Sequence, residues 1–267
     1  MSKNLFVKQA VDLIVQVMLK LLFIRHGEST GNREKRMTSH LDDGLTAMGQ
    51  VQCQHLAQSL YEQGWQPSHI YTSPLRRAIE SLDYLLQPWN WPLPTELYRD
   101  LTIAQGHSFL TPELYPLSPL ASPPITASEQ LTEFQAGIFT GLTWAEAKQQ
   151  YPQLCYMLEK SQDWVAIPHA ETPLEGRERA SQFIGQLLAN HRVGDTVWII
   201  SHHWIMEHLI ACLMGCDRTW QIAIPNTALF EFWLDRDRWL KTGMPLGISD
   251  LWQIKRFCDA RHLDENH

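Results

Sequence analysis

The chain lacks the features that mark several protein classes. It has five cysteines, Cys53, Cys155, Cys212, Cys216 and Cys258, an odd number with no CxxC pair and no zinc spacing. That pattern argues against a disulfide framework and fits free thiols in a reducing compartment. Cations are outnumbered, with 22 Lys and Arg against 29 Asp and Glu and a net charge of −7. Broad nucleic-acid binding needs a basic face, so no nucleic-acid partner is expected. Uninterrupted apolar runs are short. The longest apolar stretch, residues 6–24, is broken by Lys8, Asp12 and Lys20, and no small-residue cleavage site follows it. Neither a membrane span nor a secretory signal is expected, and a cytoplasmic protein is.

What is present is ordinary globular material. Hydrophobic residues make up 44% of 267 and charged residues 19%, enough to build a sizeable core. Phe6, Ala10, Leu13, Ile14 and Val17 fall at helical spacing, so residues 1–17 read as an extension ahead of one domain spanning 18–267. Eleven tryptophans without repeat spacing read as core and pocket walls.

Strands and helices alternate. Leu19–Ile24 has strand length and is followed by polar loop through residue 44. Thr46 is placed to cap a helix reaching about Gln63, with Gly64 as its stop. "HIYT" (69–72) is the next strand, and Pro74 is expected at the first position of a helix ending near Leu86. Residues 100–130, rich in Pro, Ser and Thr, read as an irregular inserted lid. "TWAE" (143–146) and "TPLE" (172–175) are capping boxes, the second opening a helix that runs to about His191. "TVWII" (196–200) is a buried strand, a helix follows from about Ile205, and "ALFEFWL" (228–234) alternates like a strand. The succession implies an α/β sandwich with a largely parallel sheet.

Three strand ends carry unusual chemistry. The first is followed by Arg25-His26-Gly27, the second by "SPLRRA" with Arg76 and Arg77, the third by His202-His203. Ligands of open α/β sheets bind beyond the carboxyl ends of the strands. If these strands are parallel neighbours, two histidines and two or three arginines converge there beside helix N-termini, which suits an anionic phosphate. Gly27 would let the backbone turn and approach a ligand. Arg25 offers a planar fork to phosphoryl oxygens, and nearby cations would keep His26 a neutral nucleophile. A backbone carbonyl near the turn could hold its other ring N–H.

"RHGEST" with Asn32, "LTAMGQVQ" (45–52), "YTSPLRRA" (71–78), "LTEFQAGIFTGLTWAE" (131–146) and "WIISHH" (198–203) resemble, in order, the histidine phosphatase superfamily, also called phosphoglycerate mutase-like. The resemblance covers about residues 19–235 and implies a three-layer α/β/α sandwich with a mostly parallel central sheet. It implies a phosphoric monoester hydrolase of the histidine acid phosphatase type, with His26 phosphorylated and Glu133 as proton donor. Arg25, Arg77 and His202 would hold the phosphoryl group, with Asn32 beside them; Thr38 and His203 complete the candidate binding set. Arg36 and Asp42 fall in register with the family's loop. The expected partner is a small phosphorylated metabolite, and a homodimer is one assembly the sequence allows. The scheme requires no cofactor and no metal.

Some residues depart from the pattern. His203 stands where glycine is usual; a metal shared with Glu207 at i+4 lacks a third ligand of suitable spacing, so pocket lining or helix capping is the preferred reading. Phe134 and Ala136 flank Glu133 where mutases usually carry an arginine and a tyrosine, which favours hydrolysis over a cofactor-dependent phosphoglycerate mutase, and the presence of all the expected groups favours it over a non-catalytic phospholigand-binding protein. Arg33, Lys35 and Arg36 are read either as an anion attractor or as a solvated face. Glu28 is expected to support the loop, and Glu171 and Arg179 are read either as a brace for the site or as a helix N-terminal charge and an exposed arginine. Tyr98, Arg99, His107 and Tyr115 are candidate substrate contacts. His40, His55, His69, His169, His191, His208 and His262 read as surface or core histidines.

Overall fold

A computed structural model of the chain describes residues 18–98, 121–239 and 252–264. The expected extension at 1–17 and Arg99, His107 and Tyr115 of the insertion lie outside the described residues.

Six strands form one sheet: β1 (Leu19–Arg25), β2 (His69–Thr72), β3 (Ile125–Ala127), β4 (Thr196–Ser201), β5 (Leu229–Leu234) and β6 (Trp252–Asp259). Their order is β3-β2-β4-β1-β5-β6. The first four are mutually parallel; β5 runs antiparallel to β1, and β6 to β5. β1 alternates its side chains between two cores, as the pleat demands. Leu19, Leu21 and Phe23 pack with Val197, Ile199, Phe230 and Phe232 against α6 (Pro173–Asn190) and α7 (His203–Leu213). Leu22 and Ile24 pack with Ile70, Trp198 and Ile200 against α2 (Ala47–Glu62) and α3 (Arg76–Leu86). Helices on both faces make the expected three-layer α/β/α sandwich.

Local signals account for most element ends. Thr46 accepts from Gly49 N–H and starts α2, and Gly64 follows it at φ +71°. Both capping boxes form, opening α4 (Trp144–Gln150) and α6. Four expectations need correction. Pro74 lies outside α3, whose N-cap is Leu75. Residues 25–44 are not all loop: α1 (Thr30–Glu34) is a short helix opened by a Ser29–Asn32 capping box. The last helix of the core begins at His203, not near Ile205. Within the supposed irregular insertion, Ile125–Ala127 joins the sheet as edge strand β3, because Ile70 and Tyr71 offer it a free parallel ladder. The tryptophans also divide. Trp89, Trp91 and Trp198 are buried, Trp89 stacked on Trp91 at 5.4 Å, whereas Trp164 and Trp220 are exposed.

A small third core roofs the carboxyl end of the sheet. Ala136, Phe139, Ala147 and Cys155 pack there with Met37 and Leu142 through α4 and α5 (Pro152–Lys160). Loop and roof are laced by Met37 N–H to Leu142 O and Gly141 N–H to Met37 O. Arg36 adds bonds to Gly141 O and Glu146. These bonds fix Arg36 in the roof, against the reading of it as a free anion attractor; Arg33 and Lys35 stay exposed.

Candidate active site

Parallel pairing of β1 with β4, and of β4 with β2, brings the three unusual strand ends together. The turn after β1 is tightly seated. Gly27 N–H donates to Ser81 Oγ of α3, and a Cβ on Gly27 would lie 2.6 Å from Gly49 O and 2.7 Å from Cys53 Sγ. Glycine is needed here for close approach to α2 rather than for a left-handed backbone. Glu28 supports the turn as expected, accepting from Thr46 Oγ1 at 2.6 Å.

His26 is buried, and its Nδ1 lies 2.7 Å from Gly27 O. A carbonyl only accepts, so Nδ1 carries the proton and Nε2 keeps a free lone pair. Burial, then the charges of Arg77 and Arg25, hold the imidazole well below its ordinary pKa. The ring of His202 lies 4.9 Å from that of His26. Arg77 Nε donates to His202 Nδ1 at 3.2 Å, which leaves Nε2 as its N–H, donated to Ser73 Oγ at 2.7 Å. His202 is likewise held well below its ordinary pKa, by burial and then by Arg77, His26 and Arg25.

Two arginines flank the pair. Arg77 is 1% exposed, pairs with Asp43, and donates to Ser39 O at 2.8 Å. Arg76 instead points to Glu80. Arg25 bonds Ile224 O, while its buried Nε has no hydrogen-bond partner. A buried guanidinium N–H without a partner on a residue adjoining His26 in sequence suits an anion acceptor. Asn32 Oδ1 accepts from Asn226 Nδ2 at 2.9 Å, so its own amide N–H groups remain as donors; Asn226 also donates to His26 O.

Glu133 sits opposite on the roof. Its carboxylate accepts from Phe134 N–H at 2.9 Å and, more loosely, from Trp204 and Ile205 N–H at the start of α7, both at 3.4 Å. It thus occupies the unfilled N-cap of α7, where His202 supplies no side-chain cap. Its charge reaches Arg25. Of the two readings the brace forms: Arg179 grips Glu171 through two bonds of 2.9 and 2.8 Å and donates to Thr132 O, next to Glu133. A cavity of about 540 Å³ opens beside it, lined by His40, Thr132, Gln135, Glu171 and Arg179 among others.

Other candidates fall differently. Thr38 packs its methyl over Gly31, where a Cβ would lie 2.0 Å away, and so shapes the loop. His203 turns Nε2 to Ile222 O at 2.8 Å, while Glu207 accepts Ile222 N–H at 2.7 Å. The pair clamps the 216–224 loop, which replaces the shared-metal idea. His40, read from sequence as an ordinary histidine, reaches Glu133 O at 3.1 Å. Asp43, Ser73 and Asn226 were not among the sequence candidates. Asp43 could have been found as the neighbour of Asp42, which instead lies 3.9 Å from Arg76.

Buried neutral histidines tie stability to pH. His26 and His202 are depressed in the folded state and take up protons near 6.5 once unfolded. Their contribution is therefore complete above pH 6.5 and is lost as pH falls below it. The melting temperature is expected to be level from pH 7 to 8 and to drop by roughly 5 °C or more between pH 6.5 and 5. A scanning-calorimetry series that is level through this window would contradict the assignment.

Comparison with known proteins gives consistent matches. The family model described as histidine phosphatase superfamily (branch 1) matches residues 21–102 and 116–244. The 2,3-bisphosphoglycerate-dependent phosphoglycerate mutase of Gloeothece citriformis (strain PCC 7424) is 26% identical over 221 residues, covering 79% of this chain and 90% of the mutase. The solved α-ribazole phosphatase from Shigella flexneri superposes with a TM-score of 0.64 at 18% identity, over 91% of this chain and 97% of that one. The mycobacterial glucosyl-3-phosphoglycerate phosphatase complexed with VO3 gives 0.58 at 21% identity, over 80% and 92%. At such identities the structural likeness is one of fold. Among the described residues no helix is long and apolar enough to cross a membrane.

Proposed function

Since the chain belongs to the histidine phosphatase superfamily, we propose that it is a phosphomonoesterase acting on a small phosphorylated metabolite through a phosphohistidine on His26. The observation that carries this reading is the tautomer of His26: Nδ1–H is held by Gly27 O, so Nε2 keeps its lone pair, and the charges of Arg77 and Arg25 reach the ring. Nε2 attacks phosphorus in line, the ester P–O bond breaks, and the leaving oxygen takes a proton from Glu133. Water then attacks the phosphohistidine, the Nε2–P bond breaks and returns its electron pair to His26, Glu133 accepts the water's proton, and inorganic phosphate leaves. Arg25, Arg77, the Asn32 amide and the His202 Nε2–H, shifted from Ser73, would stabilise the equatorial oxygens. None of these steps calls on a metal.

Hydrolysis is favoured over mutase chemistry by Phe134, whose ring lies against that of Trp204, tilted by 40° with centroids 4.3 Å apart, beside Glu133. An apolar pair there offers nothing to a second anionic group on the substrate. Incubation with p-nitrophenyl phosphate and a panel of sugar phosphates in EDTA tests the reading. Release no greater than that of a protein-free control across the panel would end it. Conversion of 3-phosphoglycerate to 2-phosphoglycerate faster than hydrolysis would establish the mutase instead.

Glu133→Gln should lower kcat/KM for alkyl phosphates by about 10²–10⁴-fold. The loss should be far smaller for p-nitrophenyl phosphate, whose leaving group needs no proton. Equal losses on both substrates would remove Glu133 from the acid role.

A further inference from the structure

A second cluster lies at the opposite end of the sheet. His69 begins β2, Asp195 immediately precedes β4, and His191 ends α6, so parallel pairing gathers all three at the amino ends of the strands. The six residues of β4 separate Asp195 from His202 by about 20 Å. One ligand atom from each residue lies within 4.8 Å of the others. The His69 and His191 rings are 4.5 Å apart, and His191 Nδ1 is 3.4 Å from Asp195 Oδ2.

The hydrogen bonding shows which atoms are unspent. His191 is 2% exposed, yet its Nδ1 has no hydrogen-bond partner. Its Nε2 is engaged by Tyr71 Oη at 3.0 Å, and His69 Nδ1 by Ser68 Oγ at 3.2 Å. Ser68 Oγ gives its own proton to Thr196 O, so it accepts from His69 Nδ1–H and leaves His69 Nε2 its lone pair, while His191 Nδ1 faces Asp195 Oδ2, which also accepts Arg192 N–H at 3.0 Å. Metal-ligating histidines are oriented in this way by outer partners that fix the tautomer.

We propose that His69 Nε2, His191 Nδ1 and an Asp195 carboxylate oxygen form a binding site for a divalent transition-metal ion of the Zn2+ type. Two imidazoles and one carboxylate suit a borderline ion. Asp195 and His69 are half-buried, so solvent can provide a fourth ligand. Tetrahedral ligands at about 2.1 Å stand about 3.4 Å apart, the present separation of His191 Nδ1 from Asp195 Oδ2, so donors now as much as 4.8 Å apart close by up to about 1.4 Å, by side-chain rotation of His69 and Asp195. The ion would staple the start of β2 to the ends of α6 and of the turn before β4. It takes no part in the reaction proposed at His26.

The test uses the full-length protein stripped with EDTA and dialysed against Zn2+. Wild type should retain one equivalent and melt about 5 °C higher at a hundredfold excess over Kd. His69→Ala and Asp195→Asn should each weaken Zn2+ binding by more than about 100-fold, beyond the effect of losing an outer partner. On wild type alone, Zn2+ should protect His69 from diethyl pyrocarbonate, read by mass spectrometry. No retention by wild type, equal retention by both variants, or unprotected His69 at saturating Zn2+ would each overturn the proposal.

Discussion

Replacing His26 by alanine is expected to lower phosphate release by at least about 10⁴-fold, the scale on which loss of a nucleophile acts. No other nucleophile at the site can take over. His202 is next to it, but Arg77 occupies its Nδ1 and its Nε2 carries the proton. The second readout is covalent. A brief quench of wild type with radiolabelled substrate should trap an acid-labile, base-stable phosphoryl group, and His26→Ala should trap none. Because His26 is buried, a melting curve must accompany the assay, and the folded variant should still bind inorganic phosphate through Arg25 and Arg77. A variant retaining more than about one hundredth of the activity would remove His26 from the nucleophilic role.

The second large effect is expected away from the reacting atoms. Asp43→Ala leaves Arg77 as an uncompensated buried cation, since the pair lies in an interior where Arg77 is 1% and Asp43 8% exposed. Breaking a buried pair from one side costs about 3–5 kcal/mol. For a chain of this size the melting temperature should fall by roughly 10 °C. Asp43 Oδ2 also accepts Gly31 N–H at 3.3 Å, so α1 and its Asn32 should loosen together with the guanidinium. The folded fraction should therefore show a higher KM for phosphate esters as well as lower kcat. Asp42→Ala is the comparison: its carboxylate stands 3.9 Å from Arg76 and its side chain is 44% exposed, so the substitution should shift melting by about 2 °C or less. Equal effects of the two substitutions would mean that the buried pair does not anchor Arg77.

The contrast between adjacent aspartates shows where sequence reading ends. Arg25-His26, Arg77 and His202 could be placed together because strand ends and helix starts are written in local chemistry: apolar runs, capping boxes and a glycine stop. Parallel order then follows from the crossover helices. Which of Asp42 and Asp43 turns inward depends on the loop path, and that path is set by distant partners such as Gly31 and Ser39. Strand β3 is only three residues long, in a Pro- and Ser-rich context. It is a strand because β2 has an open edge, which no local pattern reveals. Strand β6 shows no clean alternation of burial, with Lys255 and Arg256 at its centre, and escaped for the same reason. Most of the lid expected at 100–130 lies outside the described residues, and the roof that carries Glu133 and packs α4 and α5 follows that segment.

Ser39 joins these parts in one residue. Buried, with a left-handed φ of 47°, it gives its carbonyl to Arg77 and receives Ala136 N–H on its hydroxyl. Such a backbone persists only where its surroundings over-determine it. Any ester bulky enough to lift the ceiling would also slacken the cation beneath. Discrimination among leaving groups should then register as slower turnover on oversized compounds, more than as weaker capture of them.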